Sequence, residues 1–455
     1  MNFKVLKRSH LKRNIMTGVL VVVIISAVVL NFTRAKYRVT QSIPLVNGTI
    51  NYKPYDFKMI AMYQENDSGE YESIDVVPSS GYYLNDQESY CEINGVKNND
   101  INIQYGNQKI DISNLSQKGT KCYLYFNKNI VKECSDEDLA CQTLLKNVKI
   151  IGKRNNFTKS ISIENSDMIY AEEDDDGLSY YYVGSPTNNW IRFADFYWRI
   201  IRINGDGSLR LIYSGNSTTG PTQIGYGAGI GISSFNNDSD NAYVGYMYGN
   251  TGSNTYEETH ANINDSIIKD YVDDWYKDNI YGTEYEQYID KNAGFCGDRS
   301  ISSGTGIKQD ETYYNGFRLG AYYREAKPSL KCVNEQDLYT VKSSSKGNKA
   351  LTYPIGLITL DEVIFSGFAW RATENINNRG HYLSMGHVYW TMTPVGIIYR
   401  EEEGIYAQVF YVNKTGPGWG MTSSSRYHVR PVINLRADIV LNGTGDIQDP
   451  YVIAT

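Results

Sequence analysis

Eighteen consecutive residues, Ile15 to Phe32, carry no charge, and this run constrains the chain more than any other feature. As a helix it reaches roughly 27 Å at about 1.5 Å per residue, enough to cross the hydrocarbon core of a bilayer. Lys4, Lys7, Arg8, Lys12 and Arg13 all precede it, with no acidic residue among them. That bias predicts a cytoplasmic tail over 1–14, a transmembrane helix over 15–32 and everything after it outside the cell. A cleaved leader is the alternative, since Thr33-Arg34-Ala35 stands where a small-residue cleavage site would be. Its central arginine and the length of the run favour a retained anchor. Export follows from either reading.

Removing the tail's five cations from the chain's 44 Lys plus Arg leaves 39 against 51 Asp plus Glu, about −12 for the exterior part. Such a balance repels phosphate backbones and excludes nucleic acid as a partner. The 455 residues, 41% of them apolar, supply two or three cores. Forty tyrosines have two readings. They give rigid, amphipathic contact area for binding, or they reflect a base-composition bias that also enriches Asn, Ile and Lys. Six cysteines outside the reducing cytosol predict disulfides. Sequential pairing, Cys91 with Cys122, Cys134 with Cys141 and Cys296 with Cys332, is one of about 15 connectivities. No C-x-x-C occurs, and no cysteine pair sits beside histidines at zinc spacing, so no metal site or cofactor is expected.

From 33 to 130, short alternating runs are punctuated by Asn47-Gly48, Ser79-Ser80-Gly81, Asn94-Gly95 and Asn99-Asp100. These predict a membrane-proximal β-domain, with Cys91 and Cys122 bridging non-adjacent strands. Residues 131–176 predict a helix capped by Ser135 and then a solvated linker, because Glu172 to Asp176 are five acidic residues in succession. From 177 to 455 the pattern is mixed. Phe196 to Ile203 and Leu209 to Tyr213 flank Asn204-Gly205-Asp206-Gly207, a hairpin signature. Asp265 is placed to cap a helix over Ser266 to Asn279. Thr359-Leu360-Asp361-Glu362 reads as a capping box. Val429 to Leu435 reads as one strand. Together these predict an α+β fold.

Catalytic signatures are scarce. H-E-x-x-H, G-x-S-x-G and phosphate-loop patterns are absent from the sequence. Ser266-Ile267-Ile268-Lys269, Ser239-Asp240-Asn241 and Lys414-Thr415-Gly416 reproduce the three motifs of penicillin-binding proteins and serine β-lactamases, but S-D-N comes before S-x-x-K. His381 and His387 stand too far apart for one helical turn, which argues against a metal pair.

Four segments carry a resemblance: Phe196 to Gly207, Gly356 to Val363, Tyr389 to Pro394 and Val429 to Leu435. In this order they resemble uncharacterised bacterial surface proteins with an N-terminal anchor. The C-terminal part is similar to C-type-lectin-like and formylglycine-generating-enzyme-like domains. The resemblance implies a lectin-like domain over 177–455, without the reactive cysteines of the oxidases or the calcium motifs of sugar-binding lectins. The resulting expectation is a membrane-anchored extracellular binding or adhesion protein, not an enzyme, whose ligand is a glycan, a host protein or cell-wall material. Tyr246, Tyr248, Trp419 and Tyr427, aromatics in glycine-rich surroundings, are the candidate contacts. An extracellular serine acyl-transfer enzyme acting on cell wall and a purely structural envelope protein are the alternatives.

Overall fold

Strand outweighs helix in this protein, 39% against 14%, which corrects the α+β expectation to a predominantly β architecture. The structure, a computed structural model, describes residues 59–454 except 79, 107–108, 114–118, 159, 162–166, 217–228, 320–326, 370–380, 385 and 401–403. The predicted span 15–32 lies outside the described residues. Among those described, no helix is long and apolar enough to cross a membrane. The helices are short because the segments between turns are β-branched and aromatic, with few long 3.6-period runs.

The first sheet is centred on Thr120–Lys128. Met59–Glu65 pairs with it in parallel and Tyr71–Ile74 flanks that strand. On the other side lie Tyr82–Leu84 and Tyr90–Ile93. Cys91 and Cys122 face each other on adjacent strands with Cα atoms 4.0 Å apart, so the bridge joins neighbours and not the distant strands expected. Cys91, Cys122, Leu124 and Phe126 face inward to a small core of their own.

A second sheet runs Val432–Leu435, Leu209–Asn216, Phe196–Ile203, Leu178–Tyr181, Met168–Glu173, Ile150–Gly152, with Trp190–Phe193 also on Phe196–Ile203. The predicted hairpin is its centre. Ile203 pairs with Leu209, and the Gly207 N–H closes the turn on the Asn204 carbonyl at 2.9 Å with φ +80°, which glycine adopts freely. The third sheet is built on Tyr389–Arg400, flanked by Gly404–Asn413 and Arg426–Val429. Gly416–Thr422 extends it beyond Gly404–Asn413.

Val429 to Leu435 is not one strand. Arg426–Val429 belongs to the third sheet and Val432–Leu435 to the second, with Arg430-Pro431 at the crossing. Proline has no N–H for a ladder, so the chain changes sheets there. The Arg430 guanidinium and the Pro431 carbonyl both bond the Tyr213 backbone, fixing the corner. One continuous core draws on both sheets, including Trp198, Leu211, Ile433, Trp390 and Val409.

The helix expected within 131–176 is present but starts at Leu139, not near Ser135, and the acidic run is not a solvated linker: Glu172 and Glu173 end the strand Met168–Glu173, and Asp174 to Gly177 turn it into Leu178–Tyr181. Asp174 is buried there and accepts from Arg202 Nη1 at 2.6 Å, Gly205 N at 2.9 Å and Gly177 N at 3.1 Å. Pairing with a cation from another strand, not solvation, relieves its charge.

Candidate functional site

Alternation along Lys121-Cys122-Tyr123-Leu124-Tyr125-Phe126 turns every second residue away from the small core. The register places Tyr63 beside Tyr125 and Tyr90 beside Tyr123 on that outward face. Tyr63 and Tyr125 stack with ring centroids 4.9 Å apart and planes 14° from parallel. Tyr90 and Tyr123 stack at 4.9 Å and 26°. Tyr71, the most exposed, meets Tyr125 edge-on at 4.9 Å. Five half-buried or exposed tyrosines therefore cover one side of the sheet.

Polar groups sit among the rings. Tyr71 donates its hydroxyl to Asn127 Oδ1 at 2.7 Å, and Asn85 donates to the same oxygen at 2.8 Å. Asn127 in turn donates to Glu65 Oε2 at 3.0 Å. Lys97 lies 5.4 Å from the Tyr90 ring centroid, a cation–π contact. Burial and the neighbouring phenols push the Tyr125 hydroxyl up to about 12, and burial, followed by the negative charge of Glu92, raises Tyr90 and Tyr123. The hydroxyls of Tyr71, Tyr90, Tyr123 and Tyr125 are thus held neutral at physiological pH, beside an amide and carboxylate network.

The four aromatics expected to form a site lie elsewhere. Tyr246 is completely buried, with its hydroxyl donated to the Ile355 carbonyl at 3.3 Å; this corrects its assignment as a ligand contact. Glycine-rich sequence there marks close backbone packing, not an exposed loop: a Cβ at Gly245 would meet the Met247 carbonyl at 2.3 Å. Tyr248 is half-buried and packs edge-on against Tyr243. Trp419 is half-buried between Phe317 and Phe410. Tyr427 lies against Trp390 and stacks with Tyr411 at 6.1 Å. Trp419 and Tyr427 are thus partly committed to core packing.

The acyl-transfer motifs have structural uses. Ser266 is buried and caps the helix Ile267–Asn279, one residue after the expected Asp265. Its hydroxyl donates to the Tyr246 carbonyl at 2.7 Å and accepts from Lys269 N at 3.3 Å. The Lys269 ammonium is held by carboxylates, 3.0 Å from Asp265 and 2.5 Å from Asp273. Asp240 caps a 3-10 turn, and Asn241 Nδ2 is shared among the carbonyls of Ile307, Lys308 and Asp310. Lys414 and Thr415 form an exposed turn between strands.

A cleft of about 760 Å³, counted with its open mouth, lies between the second sheet and the segment 329–332. Its floor is a charge network. Arg202 pairs with Asp174 and Glu362, Arg210 pairs with Glu362, and Arg318 bonds Asp361 at 2.6 Å. Burial raises the Asp361 carboxyl to about 6 despite Arg318. The Cys296–Cys332 disulfide borders the cleft. Because these charges neutralise one another, the cleft reads as an internally satisfied joint.

All six cysteines are paired as the sequential connectivity has them: Cys91–Cys122, Cys134–Cys141 and Cys296–Cys332. Among the described residues, no group of three or more His, Cys, Asp or Glu could hold a metal ion. No family model matches the chain, and no curated protein or solved structure matches it either.

Proposed function

We propose that this chain is an exported binding protein and that the tyrosine-covered face of its first sheet recognises a polyhydroxylated ligand, a cell-wall or host glycan. The five-tyrosine face carries this reading. Three disulfides and no free cysteine are consistent with an oxidising, extracellular compartment. A protein partner would favour a dry apolar centre on the contact face. Here the half-buried and exposed rings all end in hydroxyls, beside Asn85, Glu65 and Glu92, which suit hydrogen bonding to sugar hydroxyls while the rings cover C–H faces.

Retention of the protein on immobilised cell-wall polysaccharides and on a glycan array tests it. Tyr63→Ser with Tyr125→Ser should reduce retention at least tenfold while leaving the Cys91–Cys122 bridge formed. Equal retention by wild type and variant, or no retention by either, would sink the proposal.

A further inference from the structure

Lys269 is completely buried, its side chain shut away from solvent on the helix Ile267–Asn279. Lys269 and Asp273, four apart, share one face of successive turns, and Asp265, in the short strand just before the Ser266 cap, reaches the same ammonium from outside the helix. The ammonium lies 2.5 Å from Asp273 Oδ2 and 3.0 Å from Asp265 Oδ2. Asp273 is itself nearly buried, and its second oxygen, Oδ1, has no hydrogen-bond partner. A buried ion pair with an unsatisfied oxygen is poorly compensated for the loss of hydration.

We propose that Lys269 and Asp273 are a site of intramolecular amide formation, with Asp265 as the proton carrier. A proton first passes from Lys269 Nζ to Asp273 Oδ2 across their 2.5 Å contact. Lys269 Nζ then bonds to Asp273 Cγ. Asp265 takes a proton from that nitrogen and returns it to the departing hydroxyl. The Cγ–O bond breaks, one water leaves, and nothing is oxidised or reduced. Burial raises the Asp273 carboxyl to about 6 against the opposing pull of Lys269, so the acid form is accessible. Fixing two reacting groups in contact provides effective concentrations of roughly 10⁵–10⁸ M, which is how an otherwise sluggish amidation proceeds without an activating group. The cross-link would close one helical turn and lock a helix that packs into the main core through Ile268, Val272 and Tyr276.

Intact mass spectrometry of the full chain, with peptide mapping, decides the matter. The expected result is a protein lighter by one water than its disulfide-bonded sequence, with the loss mapped to a peptide joining Lys269 to Asp273 and uncleaved by trypsin after Lys269. Lys269→Arg, which keeps the cation, should restore the sequence mass. A wild-type chain at full mass and cleaved after Lys269 overturns the proposal. So does a water loss that persists in Lys269→Arg or maps to Asp206-Gly207, where succinimide formation also releases water. Should the variant fail to fold, the wild-type peptide map alone gives the answer.

Discussion

Replacing Glu362 with glutamine removes one charge and almost no volume from the floor of the cleft. Glu362 is 3% exposed and bonds both Arg202 and Arg210. Burial alone would raise its carboxyl, but Arg210 and Arg202 outweigh it and hold the group below its ordinary range. In Glu362→Gln, Arg202 keeps Asp174 at 2.6 Å and Ser179 at 3.1 Å. Arg210 keeps the Gly294 carbonyl at 3.2 Å, the Phe295 ring at 5.0 Å and the more distant charge of Asp174, so a buried cation loses its direct counter-charge. Breaking one side of such a pair costs about 3–5 kcal/mol. The amide retains the bond from Thr359 N, now 3.0 Å, so the helix cap survives. Glu362→Ala loses that bond too and should cost roughly 1 kcal/mol more. Urea unfolding of the purified protein, read as a shift in midpoint at constant slope, measures both. The decisive variant is Glu362→Gln with Arg210→Met, which removes the stranded charge and should recover most of the loss. If the double variant is as unstable as Glu362→Gln alone, the stranded-cation reasoning is wrong.

Other outcomes are expected. His381 is buried with Nε2 donating to the Ser366 carbonyl at 2.8 Å and Nδ1 accepting from Leu383 N at 3.1 Å, and burial lowers it from 6.5 to about 3. A depressed folded pKa gives stability that is full above 6.5 and is lost as pH falls toward 3; at pH 5 the loss is about 2 kcal/mol. The stability difference between pH 7 and pH 5 should therefore shrink by that amount in His381→Gln, and an unchanged difference would refute it. Cys91→Ala with Cys122→Ala opens a 31-residue separation and should cost the first sheet roughly 3–4 kcal/mol, seen as earlier loss of amide protection in Thr120–Lys128 than in Phe196–Ile203. Simultaneous loss of protection in both would show that the small core has no stability of its own. At Gly418 a Cβ would fall 2.0 Å from the Tyr411 ring, so Gly418→Ala must displace that ring and should cost about 1–3 kcal/mol in thermal unfolding; a neutral result would mean Tyr411 moves freely.

The tyrosine-covered face was only half legible. Alternation in Lys121 to Phe126 predicts that Tyr123 and Tyr125 share a side opposite Cys122 and Leu124. Nothing local indicates that Met59–Glu65 lies parallel to that strand and brings Tyr63 onto Tyr125. The reading of Tyr246 failed for a related reason. Glycine beside an aromatic ring is as characteristic of tight packing as of an open loop, and only the surrounding chain distinguishes them.

Features fixed by groups a few residues apart were set by the sequence itself. The Asn204–Gly207 turn and the Thr359–Glu362 box each close their hydrogen bonds within one turn of chain, so residue type and spacing suffice, whereas the cap of the helix Ile267–Asn279 fell one residue later than expected, on Ser266 in place of Asp265. The tertiary structure decided everything that depends on distant partners. Glu362 meets Arg202 and Arg210 across 160 and 152 residues, and the corner at Pro431 sends one predicted strand into two sheets. A short acidic run looks solvated until a remote guanidinium neutralises Asp174. Burial energy is collected from the whole chain at once, and no local pattern records which remote segment supplies it.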